Sequence, residues 1–316
     1  MLKELPRSSI APFIRSVTIH VSLHANNYND PDSQPLLELL FKCLSRSLPL
    51  SVPSCLHLKE LNILLLGREK LLEYIPLAEN VRTINPKIRN EYFAAIGRCL
   101  SISRLKQLDT LSLDLSTICD LSLILDTGEE TQYLEGTLFF TQNISQLRHL
   151  SLTTNTSVCG GCPHNHSDYH HRFPVSFPYS WACVPYHFLQ LLSYGLYNLE
   201  SLTIDCTDLQ RVYLDMHGIL TTFPFTKLRY IYLNKVFISF NTLLNMLDSA
   251  WESLENIRIH WVMGIPRGET KTIIQKMASM PALERVRIIT TKNSICYDRR
   301  QHIEWQILPE TFVGRY

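Results

Sequence analysis

Apolar residues recur along this chain in one short phrase. It reads Leu199-x-x-Leu202-x-Ile204, Leu228-x-x-Ile231-x-Leu233, Leu254-x-x-Ile257-x-Ile259 and Leu283-x-x-Val286-x-Ile288. The last three residues of each phrase alternate apolar and polar, which is the mark of a strand with one buried face. The same phrase occurs earlier at Leu58-x-x-Leu61-x-Ile63, Leu108-x-x-Leu111-x-Leu113 and Leu147-x-x-Leu150-x-Leu152. An alternating run from Ile14 to Val21 opens the series, and Ile303-Glu-Trp305-Gln-Ile307 closes it as a final capping strand. Leu121 to Leu125 alternates before the turn signal Asp126-Thr-Gly128 and predicts an extra strand.

Between the strands the apolar spacing changes to that of helices. Leu36, Leu37, Leu40, Phe41 and Leu44 predict a helix with Ser33 as its cap and Pro35 in its first turn. Asn85-Pro86 is a second helix start, because Asn caps well and proline's missing N–H costs nothing there. Ile88, Tyr92, Ile96 and Leu100 would line the buried side of that helix. Further helices are expected around Phe188, Leu191 and Leu192, at Leu243 to Ala250, and at Ile273 to Met277, where Pro281 ends the last.

In the C-terminal half the leading leucines lie 29, 26 and 29 residues apart. That is the period of a leucine-rich repeat, in units of roughly 20–29 residues. The expected fold is therefore α/β: a leucine-rich-repeat solenoid, or horseshoe, with a parallel concave sheet, helices on the convex side and about eight irregular repeats. One domain, 1–316, accounts for the chain: irregular repeats at 10–154, a Cys/His/Pro-rich insertion at 155–185, regular repeats at 186–291 and a C-terminal cap at 292–316. In the N-terminal half the spacings widen to 50, 39 and 52. The Asn or Cys that normally follows the strand is mostly missing: Asn155 fits, Ser116, Thr207 and Thr291 substitute weakly, and Leu66, Val236 and Val262 cannot.

Composition narrows the setting. The chain has 316 residues and a net charge of +1, so no whole-molecule field steers it to nucleic acid or membrane. Nine cysteines without scaffold spacing, and an N-terminus without a signal-peptide pattern, point to a reducing, intracellular location, cytoplasmic or nuclear. The sequons at Asn143, Asn155 and Asn165 carry little weight in such a compartment. No apolar run reaches the roughly 18 residues that span a bilayer.

Irregular arrays opened by a phrase like Ala11-Pro-Phe-Ile-Arg-Ser-Val-Thr-Ile19 resemble the leucine-rich portion of fungal F-box proteins. The resemblance covers Ile10 to Ile289. It implies a receptor whose repeats hold a substrate for ubiquitin-dependent degradation, while a separate F-box docks on the ligase adaptor. The F-box itself is missing from the residues before the first strand, so an adaptor is an expected partner only if an F-box lies upstream. The other expectation is a free-standing scaffold, or a truncated relative, without ligase recruitment.

In a strand of this kind the residues between the leucines face the open side. Early and central strands offer Asp114, Ser151, Thr153, Ser201, Thr203 and Asp205 there; the C-terminal ones offer Tyr230, Tyr232, Arg258, His260, Arg285 and Arg287. Tyrosine and arginine are enriched where binding energy concentrates, and the arginine fork suits carboxylate or phosphate. These six residues are the candidate partner-binding site, for an acidic or phosphorylated protein segment. The competing view makes them solvated strand residues, with the arginines paired to Glu284 or Glu304.

The insertion carries the densest chemistry. Cys159-Gly-Gly-Cys162-Pro-His164-Asn-His166 could hold zinc through two thiolates and two imidazoles, with Cys183 as a further donor. The spacing matches no standard finger, so the expectation is no cofactor, with zinc as the minor alternative. No G-x-S-x-G, P-loop, G-x-G-x-x-G or H-E-x-x-H motif occurs, so no enzyme is expected. A metal-dependent hydrolase built on this loop is the best of the enzyme alternatives.

Overall fold

Three of the strand phrases begin in a tight turn. In the computed structural model the leading leucine's N–H reaches back to a carbonyl three residues earlier: Leu58 to Cys55 (3.1 Å), Leu108 to Leu105 (3.0 Å) and Leu228 to Phe225 (3.1 Å). Both ends of each turn are buried, so the apolar pair staples the chain's approach to the strand. The structure describes residues 4–20, 33–64, 85–100, 105, 107–115, 124, 145–154, 196–206, 214–215, 225–237, 240–261, 267–289, 293–300 and 303–309. The chain forms two compact units, Met1–Leu147 with Pro185–Leu196, and Arg148–Val184 with Tyr197–Tyr316.

In the first unit, β1 (Ser16–His20), β2 (Glu60–Leu64) and β3 (Thr110–Leu115) pair in parallel in that order. Parallel neighbours need crossover connections, and helices supply them. α1 (Ser33–Ser51) joins β1 to β2, and α2 (Pro86–Leu100) joins β2 to β3. The predicted start of α2 is present: the Asn85 side-chain oxygen accepts the Lys87 N–H at 2.9 Å. Ile88, Tyr92, Ile96 and Leu100 are all buried, together with Phe93, Ala95 and Cys99. α1 buries Phe41, Leu44 and Leu48, and the Phe41 ring meets Tyr92 edge-on at 4.4 Å between centroids.

In the second unit, β4 (His149–Thr154), β5 (Ser201–Cys206), β7 (Tyr230–Phe237), β8 (Asn256–Trp261) and β9 (Arg285–Ile289) pair in parallel. A two-residue strand, β6 (Leu214–Asp215), lies beside the far end of β7. α3 (Phe240–Ser249) and α4 (Arg267–Ala278) are the crossovers to β8 and β9. After β9 the chain turns back. β10 (Asn293–Asp298) runs antiparallel to β9, and β11 (Ile303–Pro309) antiparallel to β10. The expected closing strand is thus the second arm of a hairpin whose first arm the alternation search passed over. The extra strand expected at Leu121 to Leu125 lies outside the described residues except for Ile124, and so does the helix around Phe188.

Inward strand residues such as Leu61, Ile63, Leu111, Ile204, Leu233, Ile257 and Ile288 are buried, as the alternation predicts. The fold is α/β with a mostly parallel sheet. Two outward positions need correction. Asp114 is 2% exposed and Thr153 is 3%, because both strand ends are covered on the side expected to be open. In β3 the run Leu113-Asp114-Leu115 is buried continuously.

The residue just before each parallel strand except β6 is charged: Arg15, Lys59 and Asp109 in the first unit, Arg148, Glu200, Arg229, Glu255 and Glu284 in the second. The carbonyls of Arg15, Lys59, Arg148, Glu200, Arg229 and Glu255 each accept two N–H groups from the next strand's start, while that of Glu284 accepts the Arg299 N–H. Arg15 takes those of Lys59 and Glu60 (2.8 and 3.0 Å), Lys59 those of Asp109 and Thr110, and Glu200 those of Arg229 and Tyr230. Repeating this bond locks neighbouring strands in one register, so the charged side chains stack in a column. In the second unit these charges pair off: Arg148 forks onto Glu200 (2.7 and 2.9 Å), Arg229 pairs with Glu255 (2.6 Å), and Glu284, next to the like-charged Glu255, pairs with Arg300 (2.5 Å).

That column has a pH consequence. The Arg148 hydrogen bond, with help from the charges of Arg148, His149 and Arg229, holds the Glu200 carboxyl below the usual glutamate range against a desolvation cost. A lowered folded-state value contributes stability above the unfolded value and loses it as pH falls through the folded one. The urea midpoint should therefore drop as pH falls below about 4.3. Glu200→Gln should start lower and show a shallower acid fall; an identical profile would mean that Glu200 carries none of this linkage.

Candidate functional site

The register that stacks the charged column also places the outward residues of β7, β8 and β9 in rows. Tyr230, Asn256 and Arg285 share one row; Tyr232, Arg258 and Arg287 share the next. Beyond them His260 stands opposite Ile289, and its Nδ1 lies 3.1 Å from the Asn234 side-chain oxygen. Asn234 in turn donates to Asp205 at 2.8 Å. All six candidate residues therefore fall on one side of three adjacent strands.

They are not equivalent. In the first row Tyr230 is 40% exposed, but its hydroxyl donates to Glu255 at 2.8 Å, and the Arg229 guanidinium lies 5.5 Å from the ring centroid. The bond to Glu255 favours the protonated phenol and, with desolvation, raises its pKa. Arg285 is half-buried, with Asp298 of β10 across from it in register and the carboxylate 3.2 Å from Nε. Glu284, one of the two partners expected from sequence, pairs with Arg300 instead, and the side chain of the other, Glu304, lies outside the described residues. Tyr230 and Arg285 thus already have internal partners.

The second row is different. The Arg258 guanidinium lies 5.1 Å from the Tyr232 ring centroid, a cation–π contact that holds the fork beside an aromatic surface. Arg287 stands directly across from Arg258 on β9. Among the described residues no carboxylate is ion-paired with either guanidinium. Like charges placed opposite each other on neighbouring strands repel. Arg258 and Arg287, beside the Tyr232 ring, are thus the part of the six able to take an external anion.

Two partners went unseen in the sequence. Asp298 belongs to β10, whose alternation of Ile295 and Tyr297 before the turn Asp298-Arg-Arg300 was the available signal. Glu255 sits in the charged position before β8, a periodicity visible as a charge after each leading leucine.

The loop with Cys159, Cys162, His164 and His166, and Cys183 beyond it, lies outside the described residues. Among the described residues there is no group of three or more His, Cys, Asp or Glu side chains placed to hold a metal. No helix among them is long and apolar enough to cross a membrane. Compared with protein-family models and with curated proteins, the sequence matches none.

Proposed function

We propose that this chain is a non-enzymatic leucine-rich-repeat solenoid that binds an acidic or phosphorylated segment of another protein on the outward face of β7, β8 and β9. One observation supports this most: Arg258 and Arg287 face each other in register beside Tyr232 with no carboxylate of the described residues to neutralise them. Their mutual repulsion is a standing cost that an arriving carboxylate or phosphate would relieve. An arginine pair offers such a group paired, planar donors. Tyr232 and exposed Tyr230 supply apolar area beside the charge.

The biological role follows from the resemblance to the repeat portion of fungal F-box proteins: substrate recognition for ubiquitin ligation. Support for it is confined to the repeat phrase and the opening Ala11–Ile19 segment. If the native reading frame continues upstream into an F-box, the full protein should co-purify with the ligase adaptor and cullin.

The double reversal Arg258→Glu and Arg287→Glu tests the binding face. Both side chains point outward, so the fold should survive, as thermal melting can verify. The immobilised wild-type chain should retain a set of protein partners that the variant loses, with capture weakening at high salt as charges are screened. The same partners held equally well by the folded variant would overturn the proposal.

A further inference from the structure

A second cationic surface lies in the first unit, where two positive rungs of the charged column are neighbours. Arg148, Glu200, Arg229, Glu255, Glu284 and Arg300 neutralise one another in the second unit. In the first, Arg15 and Lys59 are consecutive rungs, joined by the two hydrogen bonds that the Lys59 and Glu60 N–H groups donate to the Arg15 carbonyl. Two positive side chains therefore emerge next to each other. Neither is ion-paired among the described residues, and both are exposed. The adjoining carboxylates are engaged: Glu60 accepts from Asn62 at 2.8 Å, and Asp109 accepts from the Thr110 hydroxyl at 3.0 Å.

These cations line a groove of about 500 Å³ with Phe13, His57 and Gln107. Phe13 is 76% exposed, the most of any large apolar side chain described, and its ring borders the charge instead of entering the core. The short helical turn Ala11–Phe13 places it there, with Pro12 at its start and the Ile14 N–H closing onto the Ala11 carbonyl at 3.2 Å. The lining is thus a planar fork, a point charge, an imidazole, a carboxamide and an aromatic face. The volume falls within the range of roughly 300–1,000 Å³ usual for binding clefts.

We propose that this groove binds an acidic peptide segment of a protein partner, with carboxylates on Arg15 and Lys59 and an apolar side chain on Phe13. The site is separate from the Arg258–Arg287 face and stands or falls apart from it. Charge complementarity selects an anion. The exposed phenylalanine and the carboxamide of Gln107 favour a peptide over a bare polyanion, since they offer an apolar contact and a hydrogen-bond partner for peptide groups.

The test uses the full chain carrying Arg258→Glu and Arg287→Glu, so that the other cation pair cannot contribute. The probe is a fluorescein-labelled peptide of alternating glutamate and phenylalanine, followed by anisotropy, with a single-stranded oligothymidine as competitor. Lys59→Glu should weaken peptide binding at least tenfold. It should leave the chain folded, as a thermal melt verifies, because Lys59 is exposed and is ion-paired with no carboxylate among the described residues. Phe13→Ala should weaken binding severalfold without affecting folding, and Lys59→Gln should fall between wild type and Lys59→Glu. Unchanged affinity in folded Lys59→Glu would overturn the proposal. So would oligothymidine competing as well as unlabelled peptide while Phe13→Ala has no effect.

Discussion

Phe41→Ala should cost the first unit about 3–5 kcal/mol, the range for deleting a fully buried aromatic ring. Phe41 has no exposed surface, and its ring meets Tyr92 at 4.4 Å and 72°, while Tyr92 meets Phe93 at 5.1 Å and 66°. The loss combines the transfer of the ring to solvent, the cavity left between α1 and α2, and the edge-on aromatic contact. Tyr92→Phe is the informative counterpart. Burial, and then the charge of Asp114, push the Tyr92 pKa far above its ordinary value, so the hydroxyl stays protonated. Among the described residues its oxygen has no hydrogen-bond partner. Removing an unsatisfied buried hydroxyl while keeping the ring should be neutral or stabilising by about 1 kcal/mol. Urea titrations with unchanged slopes would read both variants. A Tyr92→Phe loss comparable to that of Phe41→Ala would mean that the hydroxyl is engaged after all.

Gly97→Ala should destabilise the same unit by about 1–3 kcal/mol, the usual cost of overpacking. On helix propensity alone the opposite is expected, since alanine in a helix interior is favoured over glycine by about 1 kcal/mol. The sign is decided by space. A Cβ on Gly97 would lie 1.9 Å from the Ile124 carbonyl oxygen and 2.8 Å from its carbonyl carbon. Both are backbone atoms, so no rotamer change can clear them, and either α2 or the chain at Ile124 has to shift. Circular dichroism melts would show a lowered midpoint, with faster amide exchange along α2. A variant as stable as wild type would mean that the Ile124 segment yields freely and that close packing there contributes little.

These two positions show what was legible in the chain and what was not. The face of α2 that carries Tyr92 could be read from the 3.6-residue spacing, and its start from Asn85-Pro86, because both depend on neighbours in sequence. Nothing local marks Gly97: its constraint comes from a carbonyl at Ile124, outside the helix. The candidate face divides in the same way. Alternation alone put Tyr232, Arg258 and Arg287 on the outward side of their strands. That Arg258 stands across from Arg287, and that Arg285 has Asp298 for company, depends on register between segments distant in the chain.

By itself, then, the sequence determined the strands of the repeated phrase, their inward faces, two helix starts and an outward surface rich in arginine and tyrosine. All of these are periodicities or caps that act within a few residues. Tertiary structure decided which charges are neutralised. The hairpin of β10 and β11 brings Asp298 to Arg285, paired hydrogen bonds at the strand starts set Arg148 beside Glu200 and Arg229 beside Glu255 in the second unit, and the same bonds set Arg15 beside Lys59 in the first. It also covered Asp114 and Thr153, which alternation had placed in the open. Charge pairing and burial are properties of through-space neighbours, and those neighbours exist only once the register between strands is set.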